Sequence, residues 1–171
     1  MDNYYFSAAA NASLVRHMPN ARFSDATGLV NWQRAVKSPQ ELAYMRTAAR
    51  IVEAMHQRFL EKVAPGVRKC DLVAELFDAG VRGVGETGGD YAAIVPLIAS
   101  GADATAPHLT WDEKPLKAGE GTFVEVAGCY RRYHCPLSRT VFLGKPTQAF
   151  IDAENAVLEG MEAGLERARP G

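Results

Sequence analysis

The strongest helical pattern in the sequence begins at Ser38-Pro39-Gln40-Glu41, a capping box with proline at the first helical position. From there, apolar residues recur at helical spacing until Pro65-Gly66 ends the run. These apolar residues are Leu42, Met45, Ala49, Val52, Met55, Phe59 and Val63. A second helix is predicted from Lys69 to Ala79, with Gly80 as its stop. This part of the chain therefore predicts a pair of amphipathic helices.

Three strand patterns follow the helix pair, after a glycine-rich loop at residues 83–89. The first strand is predicted from Tyr91 to Ser100, the second from Gly121 to Ala127 and the third from Pro136 to Leu143. Residues 128–133 are predicted to connect the last two strands as a hairpin. The pattern therefore predicts strands that are neighbours along the chain and pair antiparallel.

A last helix is predicted after Thr147, which is a candidate N-cap, and Pro170-Gly171 ends it. One face of this helix is apolar and consists of Ala149, Ala153, Ala156, Val157, Met161 and Leu165. The order of helices and strands predicts an α+β fold in which helices cover one face of an antiparallel sheet. A sheet of this size leaves an edge and a face uncovered, which indicates a missing partner segment.

The N-terminal residues carry a weaker pattern. A short helix is predicted from Ala8 to His17, followed by extended segments at Arg22 to Asp25 and Leu29 to Val36. These elements have too little apolar surface to form a core of their own. Either they pack on the rest of the chain or an upstream domain is missing, and we predict that residues 1–36 are the tail of such an N-terminal domain and its linker.

Composition and charge narrow the classes of function. The 171 residues are 47% hydrophobic and 23% charged, as in a globular protein of one-domain length. A net charge of −1 and no basic cluster beyond Arg131-Arg132 argue against a nucleic-acid partner. The sequence lacks a signal-peptide pattern and the roughly 18 uninterrupted apolar residues of a membrane helix, so we expect a cytoplasmic protein without a membrane partner. Cys70, Cys129 and Cys135 form no CxxC pair and are expected to be reduced.

Two residues are the main candidates for chemistry. His108 follows a turn-rich stretch after the first strand, where an imidazole can act as a general acid or base. The alternative is a loop histidine that is hydrogen-bonded to a carbonyl group. Glu125 lies within the apolar run of the second strand, where a buried carboxylate requires a partner. Its alternative is an outward-facing residue on a half-exposed strand.

The third strand offers further candidates. His134, Pro136 and Ser138 share one face if the pleat is regular, so His134 is a possible second site residue. Alternatively, His134 packs beside an aromatic residue such as Tyr133. Arg139 stands in mid-strand, which is typical of a guanidinium paired with a buried carboxylate or with a substrate carboxylate. Of these two we favour the structural pairing.

The run from Arg34 to Leu42, RAVKSPQEL, resembles the entry into the catalytic domain of the pita-bread family, which includes aminopeptidase P, prolidase, methionine aminopeptidase and creatinase. The resemblance continues through the helix pair, His108, Arg139-Thr140 and Gly144. It implies that residues 37–171 are the N-terminal half of such a domain. It also implies a homodimer, an N-terminal domain before this chain and a second half after it that supplies a further histidine and acidic residues.

The metallopeptidases of that family place one aspartate on the second strand and another on the third to hold two divalent metals. The corresponding positions here are Glu125 and Pro136, and proline has no ligand atom. The resemblance therefore implies a member without metal or other cofactor. Creatinase works without metal through a histidine that corresponds to His108, but it has a glutamate where this chain has Ser138.

Residues 91–111, 121–130 and 133–140 resemble the ectoine hydrolase branch of the family. This resemblance implies hydrolysis of ectoine, and possible acceptance of hydroxyectoine, with an N-acetyl-diaminobutyrate as product. On this reading we hypothesise that Glu125 and His108 are catalytic. Tyr133, His134 and Ser138 are our candidates for substrate binding. Two alternatives stay open, namely an Xaa-Pro metallopeptidase of the aminopeptidase P or prolidase type and a non-catalytic pita-bread module that binds peptides or proteins.

Overall fold

The computed structural model describes residues 6–170, which form two units, one ending at Ala43 and the other beginning at Tyr44. In the first unit, helix α1 spans Ala8–His17, as predicted. Its N-cap is Ser7, whose hydroxyl oxygen accepts a hydrogen bond of 3.1 Å from the backbone N–H of Ala10.

Helix α2 spans Leu29–Ala35, so the extended segment predicted from Leu29 to Val36 was wrong. The chain turns into this helix at Gly28, which has a φ of 77°. The turn before it is fixed by Asp25, whose carboxylate accepts hydrogen bonds from the N–H and the hydroxyl of Thr27. These local contacts favour a helical turn. The helix has only 7 residues, which is too short for the hydrophobic pattern to distinguish a helix from a strand.

Helix α3 spans Pro39–Lys62 and begins at the predicted capping box. The Ser38 N–H donates to the Glu41 carboxylate at 2.6 Å, and the Glu41 N–H donates to the Ser38 hydroxyl at 3.3 Å. The box is therefore confirmed, and with it the start of the helix.

Helix α4 spans Lys69–Arg82 and continues through Gly80, which was wrongly predicted to end it. The actual C-cap is Gly83, which has a φ of 67°. Gly80 instead permits close packing, because a Cβ atom there would lie 3.2 Å from the sulfur of Met55. A glycine near a helix end can thus serve packing between helices and not termination.

The sheet has three antiparallel strands in the order β1, β2, β3. They span Leu97–Ser100, Gly121–Tyr130 and Tyr133–Phe142, and a 3-10 helix at Gly101–Thr105 follows the first strand. Strand β1 is shorter than predicted because Pro96 has no N–H with which to extend the ladder.

The predicted hairpin between the last two strands is confirmed, but its connection is shorter than residues 128–133. Strands β2 and β3 pair as far as Tyr130 and Tyr133, which leaves only Arg131 and Arg132 in the turn. Both turn residues have positive φ, of 51° and 68°, the geometry of a two-residue hairpin turn. Strand β3 is an edge strand, which is why Pro136 is tolerated within it.

One hydrophobic core fills the space between the helix pair and one face of the sheet. Its buried members include Ile51, Val52, Met55, Phe59, Leu72, Val73, Leu76, Ile98, Val124 and Val126. The even-numbered residues Val124 and Val126 face this core, so the odd-numbered residues of β2 face the other way.

Helix α5 spans Gln148–Arg167, and its predicted N-cap is confirmed. The Thr147 hydroxyl accepts a hydrogen bond of 3.3 Å from the N–H of Phe150. Its predicted apolar face is exposed, with Met161 at 58% and Leu165 at 73% exposure, so periodicity identified the face but no described residue covers it. Within residues 6–170, no helix has both the length and the apolar content needed to cross a bilayer.

Strand β2 and helix α3 approach most closely at Gly128. A Cβ atom at this position would lie 2.2 Å from the carbonyl oxygen of Ala48 and 2.7 Å from the backbone nitrogen of Val52. Both obstacles are backbone atoms, so a side chain fits only if the helix moves away from the sheet.

We therefore expect Gly128→Ala to lower the free energy of unfolding by about 1–3 kcal/mol, because it overpacks the contact between helix and sheet. Urea denaturation of the variant and the parent chain measures this. Gly160→Ala is the matched control, since nothing lies within 4 Å of the added methyl group and alanine favours the helix. Equal stability of Gly128→Ala and the parent would contradict the packing described.

Candidate functional site

Glu125 lies on the face of β2 that points away from the helices. Its neighbour on this face is Phe123, and both side chains are half-buried. Directly across on β3 stand Ser138, opposite Glu125, and Thr140, opposite Phe123. The second face of the sheet therefore presents one carboxylate beside two hydroxyl groups and an aromatic ring.

These side chains form the floor of a cavity of about 520 Å³. One wall comes from the segment after β1, through Gly101, Ala104 and Pro107, and another from Phe150 at the start of α5. A cavity of this volume can hold a small cyclic molecule. Glu125 thus faces away from the core, as in the alternative of an outward-facing strand residue, and its side chain lines a cavity.

Phe150 reaches the cavity through local and tertiary contacts. The Thr147 cap fixes the first turn of α5, and the Phe150 ring packs edge-on against Phe142 at a centroid distance of 5.0 Å. Gly121 makes room for it, because a Cβ atom there would lie 2.8 Å from the ring. Phe150 was not predicted as a site residue, and its only local signal in the sequence is its position three residues after the helix N-cap Thr147.

His108 is exposed and follows Pro107, which lines the cavity. The chain after it returns to β1, where the Ile98 N–H donates to the Leu109 carbonyl at 3.2 Å. The structure thus brings the backbone of the His108 segment to the rim of the cavity, while its imidazole is not among the groups that line it. The catalytic role of His108 stays a prediction.

His134 lies at the other end of β3, opposite Cys129. Its Nε2 atom accepts a hydrogen bond from the Ala93 N–H at 2.9 Å, so in the neutral ring Nδ1 carries the proton and donates to the Arg132 carbonyl at 3.1 Å. The Cys129 sulfur is 4.0 Å from Nδ1, and burial raises the pKa of this thiol. His134 therefore ties the hairpin turn to the segment before β1.

Tyr133 lies beside His134 at the same turn. Its ring packs against Tyr44 with a centroid distance of 5.6 Å. Neither Tyr133 nor His134 is among the residues that line the cavity beside Glu125. The substrate-binding roles of these two residues stay predictions, whereas Ser138 does line the cavity.

Arg139 is exposed on β3, and its guanidinium donates to the carbonyl of Ser138 at 2.7 Å. Within residues 6–170 we find no ion pair between Arg139 and a buried carboxylate, contrary to the favoured pairing. Its charge acts on His56 of α3, where burial, and then the Arg139 charge, lower the pKa of the imidazole.

The donor atoms near Glu125 do not suit a pair of divalent metal ions. Among the residues that the structure describes, no group of three or more His, Cys, Asp and Glu side chains is close enough to hold a metal. Beside Glu125 on β3, Ser138 offers only a hydroxyl group and Pro136 offers no side-chain donor. We therefore derive no catalytic step through a metal.

Comparison with known proteins identifies relatives of this chain. The ectoine hydrolase of Halomonas elongata is 57% identical over 176 aligned residues, which cover 100% of this chain and 44% of that protein. The Xaa-Pro aminopeptidase of Escherichia coli is 32% identical over 153 residues, which cover 88% of this chain and 34% of that protein. The chain thus spans less than half the length of these relatives.

A solved structure, the prolidase from Pyrococcus horikoshii OT3, superposes with a TM-score of 0.87 at 20% identity, covering 98% of this chain and 47% of that one. At this identity the likeness shows the fold alone, and it confirms the predicted α+β half of a pita-bread domain. The sequence pattern of metallopeptidase family M24 matches residues 43–171, which is most of the chain. The chain therefore belongs to metallopeptidase family M24.

Proposed function

We propose that the full-length protein hydrolyses ectoine, a cyclic amidine, and that this chain supplies Glu125 and His108 to the reaction. The observation that carries the proposal is the place of Glu125, a single carboxylate on the floor of the cavity with Ser138 directly opposite. The identity of 57% with an ectoine hydrolase over the whole chain supports it, against 32% with an Xaa-Pro aminopeptidase.

The charge of Glu125 suits this substrate. A protonated cyclic amidine spreads one positive charge over two nitrogens and the carbon between them, and a carboxylate forms charge-assisted hydrogen bonds with such a group. Ser138 and Thr140 add hydroxyl groups that can accept or donate, and Phe123 and Phe150 add apolar walls. This combination of groups suits a small polar ring.

Hydrolysis adds one water molecule across a carbon–nitrogen bond of the ring. The amidine carbon gains an oxygen and becomes the carbonyl of an acetyl group, while the released ring nitrogen takes up a proton and becomes an amine. The product is an N-acetyl-diaminobutyrate. Glu125 acts either as the base that orients the attacking water or as the nucleophile that bonds to the amidine carbon. In the second case the ring nitrogen leaves first, and water then attacks the same carbon and releases the Glu125 carboxylate.

His108 delivers the proton to the leaving nitrogen in this proposal. Its segment forms one wall of the cavity, and catalytic groups often come within hydrogen-bonding distance of the substrate only when it is bound. Ser138 binds the substrate from the floor.

We also propose an organisation for the full-length protein. In it, residues 1–36 belong to an N-terminal domain and linker, a second half of the catalytic domain completes the site, and the protein is a homodimer.

An Xaa-Pro peptidase is the second candidate, favoured by the aminopeptidase relative of 32% identity. Such peptidases in this family use two metal ions held by carboxylates. The described donor set, with Pro136 and Ser138 on β3, does not fit that requirement. The two candidates therefore differ in their need for metal.

Incubating ectoine with the full-length protein, with and without a chelator, decides between them. We expect NMR to show the ring-opened product in both samples, because the proposed steps need only side chains of the protein. Inert ectoine, together with metal-dependent cleavage of an Xaa-Pro dipeptide, would favour the peptidase instead.

Glu125→Gln in the full-length protein should lower the rate of ectoine hydrolysis by more than about 100-fold, because the amide has the same shape but is neither a base nor an effective nucleophile. The folded state, monitored by circular dichroism, should be unchanged. Glu86→Gln, an exposed carboxylate in the loop after α4, is the control and should retain full activity. A near-normal rate for Glu125→Gln would remove this residue from the mechanism.

His108→Ala should lower the same rate by about 100-fold or more, since proton transfer to the leaving nitrogen is lost. His17→Ala, on the exposed helix α1, serves as the comparison and should leave the rate unchanged. If His108→Ala keeps activity within a few fold, another group transfers the proton.

A further inference from the structure

Lys69, the first residue of α4, is a buried cation that the proposed reaction does not use. Only 5% of its side chain is exposed. Its ammonium group lies 3.0 Å from the Asp112 carboxylate and 3.7 Å from the Asp103 carboxylate. A buried charge is costly without partners, so this lysine is committed to these two aspartates.

Lys114 completes a group of four charges, here named the Lys69 cluster, formed by Lys69, Asp103, Asp112 and Lys114. The Lys114 ammonium lies 3.6 Å from Asp103 and 3.5 Å from Asp112, so each cation contacts both carboxylates. The two carboxylates, Asp103 first, raise the pKa of Lys114. Burial opposes ionisation of Asp112, but the hydrogen bonds from Lys69 and from the Lys114 N–H outweigh it and lower the pKa of this carboxyl.

The two aspartates stand at the two ends of the segment that carries His108. At the Asp112 end, two backbone hydrogen bonds attach the segment to α4 in addition to the Lys69 ion pair. The Cys70 N–H donates to the Asp112 carbonyl at 3.0 Å, and the Lys69 N–H donates to the Lys114 carbonyl at 3.2 Å. At the Asp103 end, the attachment to α4 comes from the Lys69 side chain. Removing this side chain therefore breaks the attachment of the Asp103 end to α4, while the backbone hydrogen bonds keep the Asp112 end in place.

The segment between the aspartates forms a wall of the cavity. Ala104 and Pro107 line it, and His108 follows directly. Lys69 itself is not among the residues that line this cavity, so it can affect the site only through the segment.

We propose that Lys69 is a positioning residue, which ties the Asp103 end of segment 103–112 to α4 and to the Asp112 end and thereby sets the cavity wall and the place of His108. This inference rests on the proposed function for its catalytic consequence. Its structural consequence, the order of segment 103–112, does not depend on the substrate and can be measured separately.

Hydrogen–deuterium exchange of the full-length protein measures that order. Two amides inside the segment report on it, because the Ala106 N–H donates to Asp103 and the Leu109 N–H donates to Ala106. We expect Lys69→Met and Asp103→Asn each to speed exchange in the segment by about tenfold, while strands β2 and β3 keep their protection. If Lys69→Met does not fold, Asp103→Asn, whose side chain is 41% exposed, still provides the measurement.

Arg58→Met is the matched control. Arg58 is also a cation shared by carboxylates, at 2.6 Å from Glu75 and 3.4 Å from Asp78 of α4 and at 3.9 Å from Glu61 of α3, but none of these belongs to the segment. Its loss should leave exchange in segment 103–112 unchanged. Lys69→Arg, which keeps the charge, should restore most of the protection. Unchanged exchange in Lys69→Met and Asp103→Asn, or equal acceleration in Arg58→Met, would overturn the proposal.

Kinetics test whether Lys69 acts through His108. We expect Lys69→Met to lower kcat for ectoine by about tenfold or more with a smaller change in KM, because a displaced proton donor slows the chemical step. In the His108→Ala background, Lys69→Met should have almost no further effect. If the double variant instead loses activity by the product of the two separate losses, Lys69 has a general structural role and the positioning role is overturned. If the parent protein does not hydrolyse ectoine, the proposed function fails, and the exchange result alone then decides whether Lys69 holds the segment.

Discussion

The packing of β2 against α3 and α4 determines which side chains are available for chemistry. The even-numbered residues Val124 and Val126 are buried in the core, so the pleat sends Phe123 and Glu125 to the opposite face. A shift of the strand by one residue would place Glu125 in the apolar core and Val124 in the cavity. The close contact at Gly128, where α3 meets the backbone of β2, opposes such a shift. The place of the carboxylate is therefore a consequence of core packing.

The residue opposite Glu125 then sets the electrostatics of the cavity floor. Two carboxylates facing each other across an antiparallel pair repel unless a cation lies between them. Here the opposite residue is Ser138, whose hydroxyl is neutral. The negative charge of Glu125 is thus available to a cationic substrate, which is consistent with a cyclic amidinium. The same strand pair, with a second carboxylate, would suit a metal ion better.

The sequence alone was sufficient to predict local structure where one or two side chains determine it. The caps at Ser38 and Thr147 were predicted because each requires only a hydroxyl and a nearby N–H group. Prediction failed where the cause is tertiary or lies in the backbone. Gly80 continues a helix because it packs on Met55, and the turn at Arg131 and Arg132 has positive φ without the glycine or asparagine that normally signals it.

The candidate site shows the same division. Glu125 and Ser138 could be named as candidates from the strand patterns, but their juxtaposition could not, because it depends on the strand register that the two-residue turn sets. Phe150 was not identifiable, since its place depends on the space left by Gly121 and on the Phe142 ring. The ion pairs of Lys69 were equally hidden, because Lys69 and Asp112 are 43 residues apart and only the folded chain brings them together.

The floor and the wall of the cavity are held by different forces, and this difference bears on the proposed reaction. Glu125 stands on a strand that is hydrogen-bonded on both sides, so its position changes only if the sheet opens. The His108 segment is held at the Asp103 end by charged side chains, and ion pairs at partly exposed groups are weaker and more sensitive to salt than a strand ladder. A proton donor can complete its approach after the substrate binds, since catalytic hydrogen bonds often tighten only in the complex. A rigid floor and a more adjustable wall therefore suit a reaction in which Glu125 acts first on the ring and His108 follows the leaving nitrogen.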